Sequence, residues 1–255
     1  MHQAIHGLSG WRLTELDETG STNADALAAA KSGDPGRLWI RAARQVQGKG
    51  RQGRPWVSER GNLYCSLLLI DPAQDPEKLG TLPLAVACAV HGTLASQPGA
   101  GRHEFRIKWP NDILVNAKKI SGILLESLAL EDGRMAVAIG IGINCAHHPD
   151  PALYQATDMA ELGLEASPEG LFPHLASTMA QTLAAWNHGR GFPQIRAEWL
   201  RLARGVGEKI TVNLPSGALE GDFEDIDATG RLVLRLQNSE IRHISAGDVF
   251  FAPRA

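Results

Sequence analysis

Residues 45–56 read Gln-Val-Gln-Gly-Lys-Gly-Arg-Gln-Gly-Arg-Pro-Trp, so that three glycines alternate with three cations. Glycine allows sharp backbone turns and close approach of its N–H group to a ligand, and cations between glycines suit a polyanion. Residues 41–60 contain six basic residues and one acidic residue, although the whole chain has a net charge of −3. The spacing fits neither a Walker A loop nor the dinucleotide-binding fingerprint. Taken alone, the segment is either a basic surface loop or an anion site of another kind.

The composition is that of an ordinary globular protein. The chain has 255 residues, of which 44% are hydrophobic and 21% charged, enough for one large domain or one large and one small. Its pI of about 6.3 argues against a general nucleic-acid binder. Three widely spaced cysteines, Cys65, Cys88 and Cys145, lack the spacing of a zinc site and favour buried thiols in a reducing cytoplasm.

No targeting segment is predicted. The N-terminus lacks a basic region followed by an apolar core, so no signal peptide is expected. Residues 79–101 carry no Asp, Glu, Lys or Arg, but their dense apolar part is short. That length favours a buried core helix over a membrane span.

Hydrophobic patterning predicts an α+β domain over residues 1–204 and a small all-β domain over residues 205–255. Helices are expected over residues 24–31, capped by Ser21 or Thr22, and over 79–96, 169–187 and 193–204. Strands are expected over residues 38–43, 62–70, 105–109, 113–115, 120–130 and 135–143, and residues 147–167 are expected to be irregular. Four short strands follow at 209–214, 218–226, 232–236 and 241–245, and their close spacing predicts a small barrel.

Three further segments place polar residues or glycines at strand ends. Residues 108–112, Lys-Trp-Pro-Asn-Asp, end one strand and are either turn residues or site residues. Lys119 either protects a strand edge against aggregation or contacts a ligand. Gly122 indicates either a β-bulge or the close approach of a ligand or of another backbone segment. Residues 140–144, Gly-Ile-Gly-Ile-Asn, leave one strand face bare, which suits either a flat ligand or a packed helix.

In their order and separation these segments resemble the catalytic domain of biotin–protein ligases. The resemblance spans about residues 20–145 and includes Ser21-Thr22-Asn23, residues 48–54, Asn62-Leu63-Tyr64, and residues 108–112, 119–122 and 140–144. The last 50 residues resemble the SH3-like C-terminal domain of that family. The resemblance implies a mixed β-sheet with helices, similar to class II aminoacyl-tRNA synthetases, followed by an SH3-like β-barrel.

The resemblance also implies a two-step reaction. Biotin and ATP, with Mg²⁺, would give biotinyl-5′-AMP and pyrophosphate. A lysine of the biotin carboxyl carrier protein of acetyl-CoA carboxylase, and of other biotin-dependent carboxylases, would then take the biotin and release AMP. Fixed cations must neutralise the like charges that meet in the first step.

Specific residues inherit roles from the resemblance. Lys119 and Arg51 would act at the junction of carboxylate and phosphate, and Asp112 would orient or deprotonate the incoming lysine or contribute to a magnesium site. No metal ligand other than Asp112 is expected. The residues expected to bind biotin are Ser21, Thr22, Asn23, Gln45, Gly48, Lys49, Arg51, Lys119, Gly122 and Gly140. Those expected to bind ATP or the adenylate are Arg51, Arg54, Trp56, Asn111, Lys119 and Asn144.

Two departures from the family pattern qualify these expectations. Lys49 stands where the family has an arginine, which keeps the charge but loses the bidentate fork. Only about 20 residues precede Ser21, too few for a winged helix-turn-helix. A ligase-only, cytoplasmic monomer or homodimer that binds neither DNA nor membrane is therefore expected. Its loop of residues 48–54 should be mobile until anions neutralise the cations.

Three alternatives remain open from the sequence. A lipoate–protein ligase or octanoyltransferase has a related fold and also delivers an acyl group to a carrier lysine. A nucleic-acid binder could use the basic stretch, although the acidic pI counts against it. A family member that has kept the fold without activity is disfavoured because Lys119 and Arg51 are both present.

Overall fold

An eight-stranded mixed sheet forms the centre of the larger part of the chain. The structure is a computed structural model that describes residues 2–73, 75–150, 155–165 and 167–251. The strands are β1 (Gln3–Ala4), β2 (Arg12–Thr19), β3 (Leu38–Gln45), β4 (Leu63–Ile70), β5 (Phe105–Lys108), β6 (Asp112–Val115), β7 (Lys118–Ala129) and β8 (Met135–Ile143). Their order in the sheet is β1-β2-β3-β4-β8-β7-β6-β5, and β2–β3 is the parallel pair among otherwise antiparallel neighbours.

Helices cover both faces of this sheet. They are α1 (Thr22–Lys31), α2 (Pro76–Leu79), α3 (Leu82–Ala95), α4 (Pro168–Trp186) and α5 (Phe192–Leu202). Because successive strand residues point to opposite faces, Val137 and Ile139 of β8 join the main core with α3 and α4. Ala136 and Ala138 instead join a second cluster under α1. Gly140 continues the second series, so the bare end of β8 faces the same side as α1.

One apolar helical stretch, Pro76–Ala95, is long and apolar enough to cross a membrane. Its most apolar 18 residues have a mean hydropathy of 1.2, yet 61% of them are buried within the fold. Its main helix, α3, packs against α4, α5 and strand β5. The stretch therefore serves as the core helix that the sequence predicts at this position, with α2 as a separate first turn.

A five-stranded antiparallel sheet follows. Its strands are β9 (Lys209–Leu214), β10 (Gly217–Ile226), β11 (Leu232–Leu236), β12 (Ile241–Ile244) and β13 (Asp248–Phe251), in the order β12-β11-β10-β9-β13. Helix α5 joins it to the larger sheet, since the Trp199 and Phe223 rings lie 6.4 Å apart and Arg196 pairs with Asp225. Apolar residues from both sheets belong to the same main core.

The fold class is confirmed, and several element predictions need correction. Strands β1, β2 and β13 were not predicted; β2 alternates few apolar residues with many charged ones and is mostly only half-buried. Helix α1 begins at Thr22, and neither Ser21 nor Thr22 caps it through its side chain. Ser21 occupies the N-cap without a side-chain hydrogen bond, and the Gln45 side chain accepts from the Thr22 N–H instead. Within the predicted irregular segment 147–167, residues 151–154 and 166 lie outside the described residues, as do residues 252–255 of the predicted second domain.

Candidate active site

A cavity of about 680 Å³ opens where five parts of the fold meet. They are the N-terminal end of α1, strands β7, β8 and β13, and the basic glycine loop. Cavities of a few hundred to about 1,000 Å³ hold small-molecule ligands. Both sheets contribute to its wall, because Asp248, Phe250 and Phe251 of the C-terminal sheet line it. The cavity is therefore shared between the two parts of the chain.

Glycines form the floor of the cavity, and Trp56 lies flat on it. Register pairs Gly122 of β7 with Gly142 of β8, so both face the same side of the sheet. A Cβ atom at Gly142 would lie 2.6 Å from the Trp56 Nε1, and one at Gly122 would lie 2.9 Å from the Trp56 Cζ3. Any side chain at either position would therefore displace the indole. The Trp56 Nε1–H is buried and meets no hydrogen-bond acceptor among the described residues.

Lys119 and Asp112 form an ion pair beside this floor. The β6–β7 pairing shifts register between Ile113 and Leu114, and such a bulge re-aims side chains. The Lys119 Nζ lies 2.8 Å from the Asp112 Oδ1 and 5.1 Å from the centroid of the Trp56 ring. The preceding residue, Lys118, instead pairs with Glu161, with 2.9 Å between Nζ and Oε1. Two adjacent lysines therefore serve different surfaces.

The basic loop turns back on itself over the cavity. The Gly50 N–H donates to the Arg54 carbonyl at 2.7 Å, and the Trp56 N–H donates to the Gly48 carbonyl at 2.9 Å. The Arg51 Nη1 donates to the Asn111 Oδ1 at 3.3 Å and to the Gly247 carbonyl at 3.1 Å. This brings a loop arginine, a residue of the Lys-Trp-Pro-Asn-Asp segment and the C-terminal sheet into contact.

Burial destabilises the charged forms of two cations in the cavity, Arg51 and Lys108. Burial lowers the pKa of Arg51, while the Asp248 and Asp112 carboxylates oppose that change. Burial likewise lowers the pKa of Lys108, with Asp112 opposing the change and Lys119 adding to it. An arginine stays protonated in proteins, so Arg51 remains a fixed positive charge. An anion entering the cavity would stabilise the charged forms.

A chain of polar side chains closes the end of the cavity near α1. The Gln45 Oε1 accepts from the Thr22 N–H at 2.9 Å and from its Oγ1 at 3.1 Å, and the Gln45 Nε2 donates to the Ser58 Oγ at 3.0 Å. The Asn23 Nδ2 donates to the Glu126 Oε2 at 2.7 Å. The Ser66 Oγ lies 2.7 Å from the Thr22 Oγ1 and 2.6 Å from the Asn23 Oδ1. These bonds fix the orientation of the polar atoms around the cavity.

Most of the residues predicted from the sequence come together here. The predicted residues that line the cavity are Ser21, Thr22, Asn23, Gln45, Lys49, Arg51, Arg54, Trp56, Asn111, Asp112, Lys119, Gly122 and Gly140. Gly48 and Asn144 are not among the lining residues. Gly48 packs against Ser58 and the Trp56 carbonyl, and the buried Asn144 amide donates to the Thr157 carbonyl at 3.0 Å. Direct ligand contacts by these two residues stay predictions.

Several residues of the cavity wall are not predicted from the sequence. Lys108 lies inside the Lys-Trp-Pro-Asn-Asp segment, but the resemblance assigns it no role. Its Nζ lies 5.4 Å from the centroid of the Phe250 ring. Arg204 lies over the Phe251 ring at 4.2 Å. Residues 246–251, Ala-Gly-Asp-Val-Phe-Phe, contain no sequence motif that predicts a ligand site, because only the packing of the two sheets brings them to the cavity.

Carboxylates are scarce in the cavity. Asp112 and Asp248 are the acidic residues among the described lining residues. No group of three or more His, Cys, Asp or Glu side chains in the described parts of the chain is arranged to hold a metal ion. Cys65 and Cys145 are buried, as the sequence predicts, whereas Cys88 is half-buried.

Comparison with known proteins gives matches to both parts of the chain. Residues 20–144 match the Biotin/lipoate A/B protein ligase family, and residues 205–252 match the Biotin protein ligase C terminal domain. A biotin–[acetyl-CoA-carboxylase] ligase of Paracoccus denitrificans is 36% identical over 242 residues, covering 92% of this chain and 99% of the relative. A bifunctional ligase/repressor of Bacillus spizizenii is 32% identical, covering 94% of this chain and 74% of the relative.

The fold is also similar to that of a solved structure. The biotin protein ligase of Aquifex aeolicus, solved in complex with biotin and ATP, superposes with a TM-score of 0.76 at 25% identity, covering 93% of this chain and 97% of that one. Fold, cavity and sequence together define an enzyme of the ligase class. The chain belongs to the biotin/lipoate A/B protein ligase family, as the sequence motifs predict.

Proposed function

We propose that this protein attaches biotin to a specific lysine of the biotin carboxyl carrier domain of acetyl-CoA carboxylase, using ATP. The observation that carries the proposal is the meeting of Arg51, Lys119 and Asp112 around one glycine-floored cavity. The activity for which the Paracoccus denitrificans relative is named, and the biotin and ATP in the complex of the Aquifex aeolicus enzyme, support it. Other biotin-dependent carboxylases are candidate acceptors of the same chemistry.

In the first step the biotin carboxylate attacks the α-phosphorus of ATP, and pyrophosphate leaves. Both reactants are anions, so fixed cations must offset their repulsion and stabilise charge developing at phosphorus. Lys119 and Arg51 are assigned this role, with Lys49 and Arg54 in support. Trp56 would stack near the adenine, while the polar chain of Thr22, Asn23 and Gln45 would hold the ureido ring of biotin.

Gln45 acts indirectly in this proposal. Its carbonyl oxygen already accepts two hydrogen bonds from Thr22, and its amide nitrogen donates to Ser58. Gln45 therefore sets the direction of the Thr22 hydroxyl in addition to lining the cavity itself. Ser21 and the backbone of Gly140 would complete this end of the site.

In the second step the carrier lysine attacks the carbonyl carbon of biotinyl-5′-AMP, an amide forms, and AMP leaves. A protonated lysine is not a nucleophile, so a base must take its proton. Asp112 is the candidate base, because its carboxylate lies at the cavity beside Lys119. Asp112 passes this proton to the departing AMP or to water, and its carboxylate then pairs with Lys119 again.

Magnesium enters with ATP in this proposal. Mg²⁺ usually keeps several waters and binds through one or two carboxylates plus substrate phosphates. A cavity whose described acids are Asp112 and Asp248 fits that pattern, with Asp112 as the candidate ligand. A carboxylase acceptor and three cysteines without the spacing of a disulfide framework support a cytoplasmic location for this reaction.

The test is transfer of labelled biotin to a purified carrier domain with ATP present or absent. We expect labelling only with ATP, and none when the carrier lysine is replaced by arginine. Competition by equimolar lipoate distinguishes the related lipoate activity, and formation of lipoyl-AMP in preference to biotinyl-AMP would refute the assignment. The basic glycine loop with Lys-Trp-Pro-Asn-Asp favours biotin.

A further inference from the structure

Asp248 belongs to the C-terminal sheet but lies against the glycine loop. It begins β13 and pairs with Asn213 of β9, which fixes its backbone within that sheet. Its side chain is 18% exposed and lines the cavity. A carboxylate on a rigid strand thus reaches a loop that lies almost 200 residues earlier in the chain.

Two arginines of the loop share this carboxylate. The Arg54 Nη2 bonds to the Asp248 Oδ2, and the Arg51 Nη1 lies 3.6 Å from the Asp248 Oδ1. The Arg51 Nη1 also donates to the carbonyl of the preceding residue, Gly247. Asp248 and its neighbour therefore satisfy the guanidinium groups that the proposed reaction assigns to the nucleotide.

The cavity holds many more cations than carboxylates. The cationic lining residues are Lys49, Arg51, Arg54, Lys108, Lys119 and Arg204. Of the two lining acids in the described chain, Asp112 pairs with Lys119, so Asp248 is the acid that faces the loop. A carboxylate and a phosphate oxygen make the same charge-assisted bonds to a guanidinium group.

We propose that Asp248 is the internal counter-ion of the loop, a positioning residue that holds Arg51 and Arg54 until the triphosphate of ATP displaces it. The inference rests on the proposed function, since it names ATP as the competing anion. Binding is then an exchange of one anion for another, and no covalent bond is made or broken. The C-terminal sheet thereby sets how readily the loop accepts a nucleotide.

The kinetic test compares Asp248→Asn with the wild type in biotin-dependent ATP–pyrophosphate exchange. The amide keeps the shape but loses the charge, so the KM for ATP should fall about two- to fivefold, the effect of losing one partly exposed ion pair. The change in kcat should be smaller than the change in KM. Asp248→Glu should restore the wild-type KM, and Asp248→Ser should match the direction of the asparagine variant.

A matched control is Glu224→Gln, which removes one negative charge from the same sheet. Glu224 pairs with Arg235 across β10 and β11 and does not line the cavity. It should leave the KM for ATP unchanged. An unchanged or raised KM in Asp248→Asn, or an equal fall in Glu224→Gln, would overturn the proposal.

Limited trypsin digestion gives a readout that does not depend on the reaction. Trypsin can cut after Lys49 and Arg51, whereas the bond after Arg54 precedes a proline and resists. Without ligand, Asp248→Asn should be cut faster at these sites than the wild type, and less tripolyphosphate should protect it. Equal cutting and equal protection would contradict the counter-ion role. Failure of wild-type exchange would instead refute the proposed function, and the digestion would still decide on Asp248.

Discussion

Replacing Lys119 with methionine removes the cation at the centre of the proposed chemistry while keeping a side chain of similar length. In the structure this ammonium lies 2.8 Å from Asp112 and 5.1 Å from the centre of the Trp56 ring. Both lysine and aspartate side chains are about one-fifth exposed, so the pair is partly screened from water. Loss of the lysine therefore affects the electrostatics of the site more than its shape.

The expected magnitude follows from Coulomb's law. At about 4 Å and an effective dielectric constant of about 20, one cation stabilises a developing unit charge by about 4 kcal/mol. Each 1.36 kcal/mol is a factor of ten in rate, which gives a loss of about 10³. Asp112, left without its partner, would add repulsion toward the incoming carboxylate. The rate of adenylate formation should therefore fall at least about 10²-fold, the size typical of a lost oxyanion contact.

The assay is biotin-dependent ATP–pyrophosphate exchange, with thermal unfolding followed in parallel. Lys118→Met is the matched control, because the adjacent Lys118 is 41% exposed and pairs with Glu161 outside the cavity. Its surface ion pair is worth about 0–1 kcal/mol, and exchange should stay near wild type. A loss below about tenfold in a folded Lys119→Met, or an equal loss in Lys118→Met, would refute the role given to Lys119.

Further outcomes follow from other residues of the structure. Arg51→Ala should release biotinyl-AMP faster and label bystander lysines, as followed by mass spectrometry; retention as tight as in wild type would contradict this. Gly142→Ala should push Trp56 off the floor, raise the KM for biotin about tenfold, and cost about 1–3 kcal/mol of unfolding free energy; an unchanged KM would show that the indole does not shape the site. Burial raises the pKa of the Cys145 thiol to about 12. The thiol's contribution to stability is therefore complete below the unfolded pKa of about 8.5 and declines at about 1.4 kcal/mol per pH unit above it. Urea unfolding of Cys145→Ala should show a correspondingly shallower loss toward pH 10, and an identical slope would argue against a buried neutral thiol.

The site residues that the sequence revealed share a physical property. Lys119, Arg51 and the glycines of β7 and β8 sit in short segments whose residue types conflict with an ordinary strand or loop. Such local conflicts are visible without coordinates. The structure adds that Gly122 pairs with Gly142, so that two separate sequence motifs form the same cavity floor.

Other features depend on packing that no local pattern encodes. Asp248 reaches the loop because the small sheet packs against the large one, in part through helix α5. Strand β2 has a weak hydrophobic pattern, since its place beside the parallel strand β3 leaves much of it exposed. The tie between Gln45 and Thr22 likewise required the fold, because the two residues lie 23 positions apart. The boundary near residue 204 and the SH3-like form of the second domain stay predictions.

The position of Trp56 gives the protein an optical reporter of its own cavity. Three of its six tryptophans, Trp39, Trp186 and Trp199, are buried away from the cavity lining, and Trp109 is buried in the cavity wall. Trp56 instead lies on the glycine floor beneath the ammonium group of Lys119. A molecule that reaches the floor must change the polarity around this indole. Emission difference spectra should therefore contain a large contribution from Trp56, and Trp56→Phe should remove it while leaving that of Trp109. Substrate entry could then be timed in a stopped-flow instrument without any added label.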